Sequence, residues 1–312
     1  MIAFGCSITS PETYARYAEP GIRLAAEPDS ELYAYEAAGS IFRSYNHILE
    51  KAGARDDLEA LVLVHQDAEI IDVDLCQKVR RALRDPEVGV VGCAGAIGVR
   101  SIAWWEGSVT WASFTHRYEE HGGGELPALS WRADELPSYA HTGEVETIDG
   151  FVMALSPWTI RNIRFDESLG RLHGYDLDFC LQVREAGRKV VTEDLKVVHH
   201  HSLDLIGDPE SWVEAHMRIA EKWDGRLPYV GVEGGSWKQR ARRAEAEAAA
   251  ARTLAVAAML QAEARTRKLE RDVAELERDL RVVCESRSWR VTAPLRRLNA
   301  LMRATRRRVH DA

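Results

Sequence analysis

Leu61-Val62-Leu63-Val64-His65-Gln66-Asp67 is the run on which the reading of this chain turns. Four apolar residues give way at once to three polar ones. A short, bounded run of Val and Leu reads as a strand buried on both faces, as in a parallel sheet, rather than as a half-exposed alternating strand. In open α/β sheets, ligands sit at the carboxyl ends of the strands. A carboxylate there can hold a divalent metal and, through it, a phosphate. The same pattern also suits a polar loop that merely ends a strand, so the neighbouring segments have to decide.

Upstream, Ile2 to Cys6 reads as a first strand, followed by the loop Ser7-Ile8-Thr9-Ser10-Pro11. Glu12 to Leu24 is a candidate helix with Ser10 as N-cap and Pro11 at its first position. Glu31 to Tyr35 alternates as a second strand and ends at Glu36. Ser40 to Ala52 has helical period, with Ile41, Tyr45, Ile48 and Leu49 on one face and Gly53 as a stop. Downstream, Asp74 to Leu83 is a helix broken by Asp85-Pro86, and Val88 to Cys93 is another buried strand. Strand and helix alternate through this whole region, which predicts a doubly wound α/β sheet.

The chain has 312 residues, of which 46% are hydrophobic and 29% charged, an ordinary globular balance for one large domain with an appendage. The net charge of -8 is uneven: Ser286 to Ala312 holds eight Arg and one Asp, about +7, leaving about -15 for the remainder. Cys6, Cys76, Cys93, Cys180 and Cys284 are odd in number and lack metal-knuckle spacing, so buried free thiols are expected. The N-terminus enters a strand directly, with no basic leader or long apolar core, so no secretory signal is expected. No run approaches the ~20 apolar residues of a membrane span.

From Gly95 to about Gly143 the periodicity is lost. The segment carries Trp104, Trp105, Trp111, Trp131 and three glycines at 122–124. A long insertion without its own periodicity is usually functional; its aromatics either stack on sugars or other rings, or pack a satellite core. Val145 to Ala154 resumes a strand, interrupted at Asp149-Gly150, where a glycine suggests a close backbone approach. Pro157 to Ile163 is a short helix. His173-Gly174-Tyr175-Asp176-Leu177-Asp178 opens another, running Phe179 to Glu185. Lys189–Thr192 and Lys196–Val198 are strands, the second ending in His199-His200-His201.

Gly235 is the last residue that reads as domain, giving a domain over 1–235 with an insertion at 95–143. Residues 236–283 shift to Ala, Glu and Arg. Leu269, Val273, Leu276, Leu280 and Val283 are spaced 4, 3, 4, 3, with Met259 and Ala262 extending the seam backwards. This is a heptad, either a coiled coil that pairs with a second copy over 259–283 or a long docked helix. Residues 284–312 form a tail in which Arg interleaves with Trp289, Leu295, Leu298, Leu301 and Met302. Over 286–308 it suits an amphipathic contact with an anionic bilayer surface. With an acidic body and no aromatic reading platform, nucleic acid is not the expected partner.

Polar clusters at Asp67, Asp176 and the histidine run all fall at predicted strand or loop ends, which a doubly wound sheet brings to one edge. One carboxylate, one imidazole and phosphate oxygens suit Mn²⁺ or Mg²⁺, and a second carboxylate off the metal can act as general base. Asp176 also suits a plain helix N-cap.

Four motifs carry a resemblance to family 2 glycosyltransferases with the GT-A fold, in the branch whose metal motif reads His-Gln-Asp. Ser44-Tyr45-Asn46 resembles the family's Ala-Tyr-Asn helix. Leu63-Val64-His65-Gln66-Asp67 is similar to its Asp-x-Asp position, with His for the first Asp. Glu146-Thr147-Ile148-Asp149-Gly150 resembles its acceptor-side Asp-Gly strand. Phe165-Asp166-Glu167 with His173 to Asp178 resembles its Glu-Asp-x-Asp helix start, Tyr175 standing where the family has Glu. The resemblance covers about residues 1–205. The tail from Ser286 to Leu298 resembles one found on bacterial surface-polysaccharide glycosyltransferases.

The resemblance implies an inverting, metal-dependent transfer of a sugar from a nucleotide-diphospho-sugar to a hydroxyl of a bacterial cell-surface glycan or lipid-linked acceptor. The expected free thiols suit a reducing cytosol, and the Arg-rich tail a peripheral contact at the inner face of the plasma membrane. Asp67 would bind the metal, completed by His199 or His201; the role of His65 stays open. Asp176 would be the base, and Asp178 would cap or orient its helix. Ser7, Glu36, Asn46, Gln66 and Asp67 would line the donor side, and Trp104, Trp105, Asp149, Gly150 and Tyr175 the acceptor side. The alternative is a non-catalytic GT-A-like assembly subunit that dimerises by its coiled coil and rests on the membrane by its tail.

Overall fold

A computed structural model of the chain describes residues 1–36, 39–97, 99, 102–104, 109–112, 114–117, 125–127, 143–200, 208–224, 226 and 235–296. Strand β1 (Ile2–Ile8) leads into helix α1 (Pro11–Thr13), a π-helical turn at Tyr14–Ala18 and helix α2 (Glu19–Ala25). Then come β2 (Leu32–Glu36), α3 (Ile41–Gly53), β3 (Ala60–His65), β4 (Ala68–Ile70), α4 (Leu75–Ala82), β5 (Val88–Gly92) and β6 (Ala94–Ile97). The next strands are β7 (Val109–Ala112), β8 (Phe114–Arg117), β9 (Glu125–Pro127), β10 (Gly143–Val145), β11 (Thr147–Ile148) and β12 (Val152–Leu155). Helix α5 (Pro157–Asn162), a 3-10 turn at Glu167–Leu169, α6 (Tyr175–Glu185), β13 (Lys189–Thr192), β14 (Val197–His199) and α7 (Pro209–Lys222) follow. The chain continues in α8 (Gly235–Glu285) and α9 (Arg287–Val291).

The main sheet has seven strands in the order β10-β13-β5-β12-β3-β1-β2. β12 runs against both its neighbours and β10 against β13, while the other pairs are parallel. This is the mixed, mostly parallel, doubly wound sheet expected of the GT-A fold. Leu61, Val62, Leu63 and Val64 are fully buried, as are Val90, Val91 and every residue of β12. A strand covered on both faces has no polar side to alternate with, which is why these runs are continuously apolar. Two smaller sheets, β11-β6-β7 and β4-β14-β8-β9, accompany it.

The main-sheet strands and the helices read from the sequence fall within a residue or two of that reading; β4 and the strands β6 to β9 of the segment read as aperiodic were not anticipated, and three further departures are instructive. The helix expected over 12–24 is helical but widens into a π-turn at Tyr14–Ala18. Pro20, one residue into α2, has no N–H to offer the preceding turn and its ring crowds that turn's carbonyl, a standard cause of such bulges. Gly21 then meets the backbone of Ile70, where a Cβ would lie 2.4 Å from its nitrogen. The interrupted strand over 145–154 is three strands: β10 belongs to the main sheet, β11 steps into a small one, and β12 returns. Helix α7 was not anticipated, although Asp208-Pro209 supplies its N-cap and first residue.

The chain divides into two units, 1–259 and 260–312. Within the first, Ala246, Ala249 and Ala250 of α8 belong to the apolar core, at the spacing of one helix face. Within the second, Leu269, Val273, Leu276, Leu280 and Val283 are exposed. At the start of α9, Ser286 accepts from the Trp289 N–H, and the Arg296 guanidinium lies 3.6 Å over the Trp289 ring. No described helix is long and apolar enough to cross a membrane. Cys6, Cys76, Cys93 and Cys180 are buried, whereas Cys284 is exposed.

Candidate active site

Strand register assembles one edge. Ser7 pairs with Tyr35 on one side and His65 on the other, and Ile8 pairs with Glu36. β12 pairs Val152 with Val64, so Asp149-Gly150 enters at the end where β3 leaves. β14 pairs antiparallel with β4, setting His199 opposite Ala68 and therefore beside Asp67. The His200 N–H donates to the Asp67 carbonyl at 2.8 Å and the His65 N–H to the Phe151 carbonyl at 2.9 Å, which locks these loops together. The His199 ring stacks on Phe151 at 4.5 Å.

His65, Asp67 and His199 each bring one donor atom into a cluster no more than 4.8 Å across. Asp67 Oδ1 lies 3.8 Å from His65 Nδ1 and 3.6 Å from His199 Nε2. Ligands each ~2.1 Å from one ion stand about 3–4 Å apart, so these spacings fit a single divalent cation. A cluster of two imidazoles and a carboxylate can hold a divalent cation, and its nitrogen donors suit a transition ion better than Mg²⁺, which prefers all-oxygen ligands. Burial holds the His65 imidazole below its ordinary pKa, the neutral form a ligand needs. Burial alone would lower His199 too, but the Asp67 carboxylate, with Asp149 behind it, outweighs burial and raises that imidazole.

His65 is thus a member of the cluster, a role the sequence left open. His201 and Trp105 lie outside the described residues, so of the two histidines considered as ligands the structure places His199.

Asp176 follows Tyr175 at the start of α6. Its Oδ2 accepts the Gly150 N–H at 3.0 Å and its Oδ1 the Leu177 N–H at 2.9 Å. Burial, reinforced by the neighbouring Asp149 carboxylate, pushes the Asp176 carboxyl up to about 7. The N-cap of α6 is Gly174, with φ +76° and no side-chain cap, so Asp176 does not serve as the cap. Nor does Asp178. It is fully buried and receives the Lys222 ammonium at 2.8 Å, the Trp223 indole N–H at 2.9 Å and the Gln182 amide at 2.7 Å, tying α6 to α7.

Several sequence candidates prove to hold other parts of the site in place. The Gln66 carboxamide oxygen accepts both the Thr9 and Ser10 N–H groups at 2.8 Å, and its NH₂ donates to the Thr9 hydroxyl at 2.8 Å. Gln66 therefore fastens the loop after β1. The Asn46 side chain pairs with both the N–H and the carbonyl of Phe165 at 2.8 Å, joining α3 to the loop before α6. Trp104 is not an exposed stacking platform. It is 6% exposed, and its indole N–H donates to Asp149 Oδ2 at 3.0 Å. Tyr175, expected on the acceptor side, is buried with its hydroxyl 2.6 Å from His65 Nε2. Ser7 is partly buried and Glu36 exposed at the same edge.

The profile of the Glycosyltransferase like family matches residues 8–214. The streptomycin biosynthesis protein StrF of Streptomyces griseus is 28% identical over 203 residues, 65% of this chain and 67% of StrF. Among solved structures, the mannosyltransferase PcManGT from Pyrobaculum calidifontis in complex with GDP-Man and Mn²⁺ superposes with a TM-score of 0.45 at 14% identity, covering 93% of this chain and 82% of that one. GalNAc-T7 with UDP, GalNAc and Mn²⁺ superposes with a TM-score of 0.47 at 10% identity, covering 79% of this chain and 54% of that one.

Proposed function

The chain belongs to the glycosyltransferase-like family, and from that footing we propose that it is an inverting enzyme that uses a divalent metal, Mn²⁺ in preference to Mg²⁺. It moves a sugar from a nucleotide-diphospho-sugar to a hydroxyl of a bacterial cell-surface glycan or lipid-linked acceptor. The observation that carries the reading is the His65–Asp67–His199 cluster together with a carboxylate poised near neutrality, Asp176, next in sequence to the Tyr175 whose hydroxyl meets His65.

The acceptor oxygen attacks the anomeric carbon from the face opposite the diphosphate. As that bond forms, the bond from the carbon to the diphosphate oxygen breaks and its electron pair leaves with the diphosphate. The acceptor proton passes to Asp176. A single displacement of this kind inverts the anomeric centre. His65, Asp67 and His199 would hold the metal, which supplies positive charge to the leaving diphosphate. The Gly150 and Leu177 N–H groups fix both oxygens of Asp176. A base whose pKa lies near the working pH balances being unprotonated against proton affinity. Ser7 and Glu36 flank the nucleoside, and Asp149, held by Trp104, lines the acceptor side.

The exposed seam between residues 259 and 283 is a pairing surface for a second copy, and the Arg-rich tail is a contact for an anionic membrane at the cytoplasmic face. The kinship with a streptomycin biosynthesis protein makes a small soluble acceptor the arm to test against the lipid-linked one.

The test is calorimetry with Mn²⁺ and a panel of nucleotide diphosphates, followed by donor hydrolysis and transfer for wild type, Asp67→Asn and Asp176→Asn. Metal-dependent nucleotide binding lost in Asp67→Asn, with transfer lost in both, is expected. Transfer that survives both changes would overturn the assignment.

A further inference from the structure

His65 Nδ1 faces Asp67, while its other nitrogen, Nε2, lies 2.6 Å from the Tyr175 hydroxyl. A histidine can ligate through Nδ1 only if that nitrogen carries a lone pair, which leaves the proton on Nε2. That N–H then needs an acceptor, and among the described residues the phenol oxygen of Tyr175 is the partner within hydrogen-bond reach. Tyr175 is held there from several sides. Its ring makes edge contacts with Phe42 and Tyr45 and a tilted contact with Phe165. Residue 150 is glycine, and a Cβ at that position would sit 2.1 Å from the Tyr175 hydroxyl oxygen. The same glycine donates its N–H to Asp176. Gly150 thus makes room for Tyr175 and pins its neighbour in the sequence.

We propose that Tyr175 is a positioning residue for the metal site: its hydroxyl accepts the His65 Nε2–H, fixing the tautomer and ring orientation that turn the Nδ1 lone pair toward Asp67 and His199. It would do so without adding charge, because burial keeps the phenol protonated. Asp67 remains the only anion of the cluster. Ligating histidines commonly hand their second N–H to a carboxylate, carbonyl or water, and the loss of such partners costs about 10- to 100-fold in metal affinity.

The inference rests on the metal reading above, and its test separates the two. Tyr175→Phe removes the oxygen while keeping the ring and its packing. Mn²⁺ affinity is measured by the electron paramagnetic resonance of the free ion. In parallel, the ¹⁵N shifts of the His65 ring are recorded in chelator-treated protein. Expected are a Mn²⁺ affinity weaker by about 10-fold or more in the variant, an Nε2-protonated His65 in the wild type, and a mixture of tautomers in the variant. Equal Mn²⁺ affinity in both proteins, or a wild-type His65 protonated on Nδ1, would overturn the role of Tyr175 and leave the metal site standing. A wild type that takes up no Mn²⁺ would overturn the metal site and this inference with it.

Discussion

Replacing Asp176 by Asn should stabilise the folded chain while abolishing transfer, and the gain should grow with pH. The folded carboxyl titrates at about 7, raised by burial and by Asp149, whereas in the unfolded chain it titrates near 4. The native state therefore binds this proton more tightly than the unfolded state. The group costs nothing below about pH 4, costs more as the pH rises toward 7, and reaches a plateau above it. With about 1.4 kcal/mol for each pH unit in that window, the ceiling is about 4 kcal/mol at pH 8, of which about 2.5 kcal/mol accrues above pH 5. Solvent reaching the carboxylate lowers both figures. Asn keeps one acceptor for Gly150 or Leu177 and gives up the other, a loss of about 1 kcal/mol that does not vary with pH. The slope is thus the diagnostic quantity.

For a domain of this size ~1 kcal/mol moves Tm by roughly 2–4 °C. The difference in Tm between the variant and wild type should therefore widen by up to roughly 5–10 °C between pH 5 and pH 8. Scanning calorimetry on chelator-treated protein at four pH values measures it. A difference that stays flat, or that favours the wild type increasingly toward pH 8, would refute the raised Asp176 carboxyl.

Gly150→Ala drives a methyl into the Tyr175 hydroxyl; it should cost about 1–3 kcal/mol by thermal denaturation and weaken Mn²⁺ binding, since Tyr175 must move. Asn46→Ala leaves the Phe165 N–H and carbonyl unpaired; a loss of about 2 kcal/mol by urea unfolding is expected, with the midpoint lowered and the slope unchanged. Asp178→Ala strands the Trp223 indole N–H and leaves the Lys222 ammonium to Asp166 alone. It should cost about 1–3 kcal/mol, while hydrogen exchange over α7 quickens ahead of exchange in β3.

The opening run shows how far reading the chain alone could go. Leu61 to Val64 reads as a strand buried on both faces because burial leaves its mark on every residue of the run, and the structure agrees. The nearby helices were legible for the same reason: Ile41, Tyr45, Ile48 and Leu49 repeat at the period of the face they bury. Asp67 and His199 were legible as candidates because strand-end polar residues of a parallel sheet converge on one edge.

Contacts that join distant segments were not legible. The third member of the cluster, His65, and its partner Tyr175 are 110 residues apart, and neither position carries a mark of the other. Gln66 and Asn46 looked like ligand-binding residues because they stand in motifs beside the site, yet their amides are used on backbone 57 and 119 residues away. Whether Trp104 stacks on a ligand or packs a satellite core was left open because an aromatic in an aperiodic segment carries no sign of burial. Periodicity, the alternation of strand and helix and the Ser10-Pro11 start of a helix are local properties, written into neighbouring residues by the backbone geometry that each element imposes. Which nitrogen of His65 faces Asp67, and how far a buried carboxylate is raised, depend on what the folded chain brings within a few ångströms, so only the tertiary structure decides them.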